Sequence, residues 1–374
     1  MKTLLLPAAG LMALGLFFTT ACQNESGAQA KKTPAEDPKP EYFLYVAVVD
    51  NLNLRDKPGQ SFKVLGQLKE GELAEGDGEV SELVEQVELR GILHKSPYLG
   101  VQRTGGQGLG GWAFGGGLLC LYSGPKAQAP DLAKTSVFSN FLSQLDPRQL
   151  ESGGKAWKYV DTELADAQGP LADAAFILLE HFFRRMEAEG ELYKLTEKVP
   201  FSKADIKAIL DKNFDTNRFP ATAALTANGL TLTTGEGTIF PVVDYLRFQD
   251  HFGPICTPAM QKFINQRASE HKTQIFDDGG IIIPIYLVAD VAAFWEKFNR
   301  QNPYFPLAAE CQESERFMLL TTLTGSNNTP VYDYETKAIE EDFILAWRYV
   351  LREYPDTKLG RTVAELSALC EAEG

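Results

Sequence analysis

The stretch between residues 42 and 121 narrows the fold more than any other part of the chain. Residues 42–49 run through aromatic and β-branched types and predict a strand. Asn51-Leu52-Asn53-Leu54-Arg55 keeps a period of two, which sends Leu52 and Leu54 to one face. Lys57-Pro58-Gly59-Gln60 is turn chemistry, Val64–Leu68 a second short strand, and Glu70-Gly71 another turn. Residues 83–93 and 98–103 extend the pattern; Gly111-Trp112-Ala113 and residues 118–121 close it. Strands this short with turns this frequent predict a small all-β barrel or sandwich.

Inside this stretch, Gly106-Gln107-Gly108-Leu109-Gly110-Gly111 matches GxGxxG, the spacing of a phosphate-cradling loop. That loop works only where a strand precedes it and a helix N-terminus follows, because the helix end supplies the N–H donors. Here Trp112 and a further run, Gly115-Gly116-Gly117, follow, and glycine is a poor helix former. The first glycines read as a hairpin turn before the Gly-Trp strand, the second as a sharp corner. No cofactor is expected.

The order of motifs carries a resemblance. NLNLR, Pro-Gly, KVLGQL, KEGE and a late Gly-Trp followed by a short strand resemble a bacterial SH3 domain over residues 42–123. The segment 75–95 is longer and more acidic than that family's pattern and predicts an extended hairpin. The resemblance implies a small SH3-like barrel that binds cell-wall peptides or other proteins. Its candidate ligand contacts are Asn51, Asn53, Tyr98 and Trp112. Read as residues alone, Trp112 suits a barrel core and Arg55 a structural brace.

The N-terminus predicts an address. Met1-Lys2-Thr3 is a short positive start and residues 4–18 are an apolar run, short for a membrane span and right for a signal peptide. Ala21-Cys22 resembles the lipobox of bacterial lipoproteins, with Thr19 where that family has an aliphatic residue. The resemblance implies removal of residues 1–21, lipidation of Cys22 and a membrane anchor; Thr-Thr-Ala also suits ordinary cleavage after Ala21. Residues 22–41, rich in Pro, Lys and acids, are expected to be a disordered linker. The expected location is the bacterial cell envelope, periplasmic or at the outer-membrane surface. A formal net charge of −14 argues against nucleic acid and favours cationic partners.

Beyond the boundary Gly124-Pro125-Lys126-Ala127-Gln128-Ala129-Pro130, residues 131–374 predict a mainly helical second domain with one or two β-hairpins. Asp131 is placed to cap a helix carrying Leu132, Phe138, Phe141, Leu142 and Leu145. Pro170 suits the first position of a long helix, Ser202 and Asp205 a capping box, and Thr257-Pro258 another helix start. Hairpins are expected around Gly235-Glu236-Gly237 and Asp277-Asp278-Gly279-Gly280. Phe294-Trp295-Glu296-Lys297-Phe298 and Trp347-Arg348-Tyr349-Val350-Leu351, each followed by a proline turn and small residues, resemble the helical hairpins of tetratricopeptide-type repeats. Such repeats imply solenoid-like packing and an interaction surface.

Catalytic patterns are sparse. His94, His181, His251 and His271 are dispersed without HExxH, and Cys256 lies in Pro-Ile-Cys-Thr-Pro with one histidine after it. Ser152-Gly153-Gly154-Lys155 spells SxxK, but its two glycines would weaken a helix there and no KTG follows. Residues 211–222 begin like a calcium loop yet lack the sixth-position Gly and end on Thr222. Glu340-Glu341-Asp342 reads as an acidic first helical turn. Cys120, Cys256, Cys311 and Cys370 admit three disulfide pairings or buried free thiols. The expected function is that of a non-enzymatic envelope lipoprotein binding peptidoglycan or an envelope protein. The alternative is a peptidoglycan-remodelling hydrolase with its site in the helical domain.

Overall fold

β1 (Tyr42–Ala47) is apolar throughout because both of its faces are covered. Tyr42, Leu44 and Val46 enter a core shared with the helices, while Tyr45 and Ala47 enter a second core inside the sheet. The computed structural model describes residues 40–105, 108–235 and 237–373. The leader, Cys22 and nearly all of the linker lie outside the described residues, as do Gly106, Gln107, Glu236 and the side chain of Cys370.

The remaining strands are β2 (Leu52–Arg55), β3 (Val64–Leu68), β4 (Leu73–Gly76), β5 (Val80–Leu89), β6 (Ile92–Arg103), β7 (Gly110–Phe114) and β8 (Leu118–Gly124). They form an antiparallel sheet of order β3-β2-β7-β6-β4-β1-β8, with β5 attached to β6. The expected barrel is not closed. β3 and β8 end the order at opposite sides, with no pairing between them among the described residues. Leu121 and Tyr122 of β8 bury themselves in the helical core instead, so the sheet needs no closure to cover that face.

Segment 75–95 forms the extended β5–β6 hairpin, turning at Arg90 (φ 51°) and Gly91 (φ 77°) as a two-residue hairpin loop requires. β6 leads into β7, a strand and not a helix, so the glycine motif has no helix end to offer a phosphate. Gly115–Gly117 form a tight 3-10 corner in which a Cβ on Gly117 would lie 2.6 Å from Leu52.

The rest of the chain is mainly helical. α1 (Leu132–Ser143) is capped by Asp131, whose carboxylate accepts from the N–H groups of Ala133 and Lys134 at 2.9 and 3.1 Å. α2 (Glu151–Glu163) runs unbroken through Gly153 and Gly154, against the weakening expected of them. Asn228 explains both residues: a Cβ on Gly153 would meet its carbonyl at 2.3 Å, and Gly154 N–H donates to its Oδ1 at 3.1 Å.

α3 (Pro170–Glu189) begins on its proline and is apolar on nearly every side because helices and sheet surround it. α4 (Tyr193–Thr196), α5 (Lys203–Leu210) and α6 (Pro220–Ala227) follow, α5 with the full Ser202–Asp205 capping box. β9 (Leu230–Gly235) and β10 (Thr238–Val243) make one hairpin, and α7 (Tyr245–Phe252) and α8 (Pro258–Thr273) pack after it. A second, two-residue hairpin, β11 (Phe276–Asp277) with β12 (Gly280–Ile281), turns at Asp278 and Gly279, both at positive φ.

α9 (Ile285–Gln301) and α10 (Ala308–Thr324) form a helical hairpin. A minimal hairpin of β13 (Gly325–Ser326) and β14 (Thr329–Pro330) then leads to a second helical pair, α11 (Glu341–Glu353) and α12 (Lys358–Glu373). The two segments alike in sequence thus take the same helix–turn–helix form. Their tryptophans are both anchored: Trp295 Nε1 donates to Glu270 at 2.7 Å and Trp347 Nε1 to the Thr322 carbonyl at 3.1 Å. None of the helices among the described residues is long and apolar enough to cross a membrane.

Sheet and helices meet through polar ties as well as the shared core. Ser139 Oγ donates to the Gly71 carbonyl at 2.9 Å, and Arg185 and Arg90 both grip Glu70, at 2.5 and 2.6 Å.

Candidate functional site

The four residues singled out on the sheet do not form one site. Asn51 occupies the β1–β2 turn at φ 57°, a left-handed conformation that asparagine tolerates better than most residues. Asn53 on β2 accepts a hydrogen bond from Gln67 Nε2 at 3.0 Å across the pair of strands. Tyr98 is 1% exposed; its ring packs on Phe114 and its hydroxyl donates to Glu85 at 2.7 Å. Core burial leaves Tyr98 no free ring face for a ligand. Only Trp112 lines a concavity. Arg55, opposite Trp112 in the β2–β7 pairing, donates to the Phe62 carbonyl at 2.6 Å and is the brace expected of it.

That concavity, about 440 Å³, lies across β4, β6 and β7. Its floor is low because Gly76, Gly100, Gly110 and Gly111 bring backbone to its surface. Two of these glycines are required by close strand packing: a Cβ on Gly76 would sit 2.7 Å from the Gly100 carbonyl, and one on Gly111 2.6 Å from that of Arg55. Three carboxylates, Glu75, Asp77 and Glu79, stand along one side. Asp77 accepts the Glu79 N–H at 3.0 Å, and Glu79 lies over Gly100. Glu75 pairs with Lys126 at 2.8 Å, and that ammonium also sits 5.1 Å from the Tyr42 ring. Burial, with Glu75 beside it, pushes the Tyr42 hydroxyl up to about 12, so it stays a neutral donor. The groove therefore brings together an indole, three carboxylates, one ammonium and glycine backbone.

The nucleophile patterns assemble nothing. Ser152 is buried in the first turn of α2. Cys256 is a free, buried thiol, raised far above its ordinary range by burial and by Asp173. Cys120 and Cys311 are free as well, each pushed up to about 12 chiefly by burial, so no disulfide joins these three cysteines. In the calcium-like segment, Asp211 pairs with Lys207 at 2.9 Å and Asp215 caps a 3-10 turn. Among the described residues no group of three His, Cys, Asp or Glu is placed to hold a metal ion.

Sequence reading missed a network of half-buried charge among the helices, centred on the buried Glu180. Arg184 on α3 reaches Glu310 at 2.5 Å and also binds Glu180, one turn earlier. Tyr245 accepts from Arg184 at 3.2 Å and donates to Glu180 at 2.6 Å, while Arg267 binds both Glu310 and Glu270. Burial raises Glu310, but Arg184 and Arg267 outweigh it and hold the carboxyl below its usual range. Charges inside Phe176-Ile177-Leu178-Leu179-Glu180-His181-Phe182-Phe183-Arg184-Arg185 were the available signal. An i, i+4 Glu–Arg pair in an apolar helix marks a buried ion pair. No family model, no curated protein and no solved structure matches this chain.

Proposed function

We propose that the chain is a lipid-anchored protein of the bacterial envelope that binds, without catalysis, an amine-bearing peptide of the cell wall or of a partner protein. In this reading the sheet is an SH3-like module, Cys22 carries the anchor and the α9–α12 hairpins resemble tetratricopeptide-type units. The observation that carries it is the groove lined by Trp112, by Glu75, Asp77 and Glu79, and by four glycines. The net charge of −14 gives such a ligand long-range attraction of the right sign.

The hydrolase reading is favoured by one observation. Lys212, Asp244, His251 and His271 gather in a second cavity in the helical part. Against it, His271 Nε2 has no hydrogen-bond partner, and Asp161 stands 3.6 Å from His251 Nδ1, beyond hydrogen-bond distance. No nucleophile–base pair of the kind hydrolysis requires is formed there.

The test is co-sedimentation of the chain from Glu41 onward with isolated peptidoglycan, with soluble fragments assayed in parallel. Binding without release, lost in Trp112→Ala and weakened by salt and by Glu79→Gln, is expected. Release of fragments would replace this reading with the hydrolase. Binding unchanged in both variants would move the contact off the groove.

A further inference from the structure

The second cavity, about 500 Å³ and open to solvent on one side, is lined by α2, the end of α5 and the loop after it, β9, α7 and the last turn of α8. Ile209, Phe214, Leu232 and Leu246 give it an apolar wall. Its polar groups are unevenly served. Asp244 is engaged by its own helix, accepting the N–H groups of Leu246 and Arg247 at 3.2 Å. Asp161 faces His251, and Asp250 stands exposed at the rim. Lys212 Nζ and His271 Nε2, by contrast, are buried without any hydrogen-bond partner. Arg247 lies over the Trp157 ring at 4.3 Å.

Buried donors left without partners are rare in folded proteins, and each calls for an explanation. Lys212 has a second anomaly. It sits at φ 54° just past the end of α5, a left-handed position that helices usually give to Gly or Asn. A lysine kept there, its side chain on the wall of a cavity and its ammonium buried without a partner, is a backbone compromise of the kind that clusters at functional sites.

We propose that this cavity is a binding site for a small organic acid, a single carboxylate on an apolar body, held by Lys212 Nζ and Arg247. The volume is that of an ordinary small-molecule site, and the apolar wall accepts the body of such a ligand. One negative charge is favoured over two because Asp161, Asp244 and Asp250 also face the cavity. Burial lowers both histidines, and Lys212 adds to the effect at His271, so neither histidine supplies charge for a dianion at neutral pH. This site is separate from the sheet groove and does not depend on the function proposed for it.

The probe is benzoate, with benzamide as its uncharged counterpart and inorganic phosphate as a multiply charged one. Titration is followed by calorimetry and by tryptophan emission, with Trp157→Phe as the control that isolates the contribution of the tryptophan on the cavity wall. Saturable benzoate binding is expected, at least about tenfold tighter than benzamide, the loss typical of one charge-assisted hydrogen bond. Phosphate should bind more weakly than benzoate. Lys212→Met should bind benzoate at least about tenfold more weakly while melting no earlier than the parent, which excludes misfolding as the cause. Three results would overturn the proposal: no saturable benzoate response at millimolar concentration, equal binding of benzoate and benzamide, or parent-like benzoate binding by Lys212→Met.

Discussion

Arg184 and Lys212 both carry a cation into the helical part of the molecule, and the structure treats them oppositely. Arg184 is met by Glu180, Glu310 and Tyr245, and the neighbouring Arg267 by Glu310 and Glu270. Lys212 is met by nothing within hydrogen-bond reach, and neither is the imidazole of His271 in the same cavity. A buried charge is tolerable when its partners are supplied by the fold, and costly when they are not. The first arrangement ties α3, α7, α8 and α10 together. The second leaves free energy unspent that a ligand can recover.

The comparison can be broken most directly at Glu310. Glu310→Ala leaves Arg184 and Arg267 without their shared carboxylate; with Arg184 39% exposed and still paired to Glu180, the loss should be about 2–3 kcal/mol in urea unfolding. A loss below about 1 kcal/mol would mean that the network contributes little and the contrast is false. Lys212→Met should do the reverse and raise stability by about 1–3 kcal/mol, because it removes a buried donor that nothing satisfies. A destabilised Lys212→Met would show that the ammonium is satisfied in solution.

His271 sharpens the same contrast through pH. Burial first, and Lys212 second, bring its pKa from an ordinary 6.5 to about 4. Between those values the unfolded chain takes up a proton that the folded chain refuses, so this residue's contribution to stability falls as pH falls. His271→Asn removes that contribution. The stability gap between parent and variant, measured by thermal melts, should shift in the variant's favour from about pH 6.5 down to about pH 4. A gap that stays constant across the window would place His271 in water. The smallest effect is expected on the sheet. Asn53→Ala deletes one exposed side-chain pair with Gln67 and should change stability by no more than about 0.5 kcal/mol.

Local chemistry was legible wherever one residue decides one turn. Asp131, Ser202 with Asp205, Thr257-Pro258 and Asp278-Gly279 each stop or start an element in the predicted place, because a cap or a left-handed turn is a short-range requirement. Most strands between residues 42 and 121 were legible from their alternation, but β4 was not, and the span read as 83–93 crosses the turn at Arg90 and Gly91. What the sequence did not show was that the sheet stays open. Residues 42–47 read as one strand with any partner, and only the packed chain reveals that Leu44 and Val46 belong to the helices while Tyr45 and Ala47 belong to the sheet. The cavity was equally hidden. Its walls come from residues as distant as Trp157 and His271, and no spacing in one sequence records that they meet. Trp157 itself is seated by a single glycine: Gly229, at φ 86°, would bring a Cβ within 2.2 Å of the indole nitrogen.

β1 has one further consequence, which concerns force. It is the first strand among the described residues, and it is hydrogen-bonded along both edges, to β4 and to β8, each antiparallel to it. A pull on the chain from its N-terminal side therefore runs along the axis of β1 and loads two ladders in shear, so that many bonds must fail together. Pulled as a hairpin edge, the same bonds would fail singly and in sequence, as in a zip. Detaching this strand therefore requires both ladders to fail, and it also pulls Tyr42, Leu44 and Val46 out of the core shared with the helices.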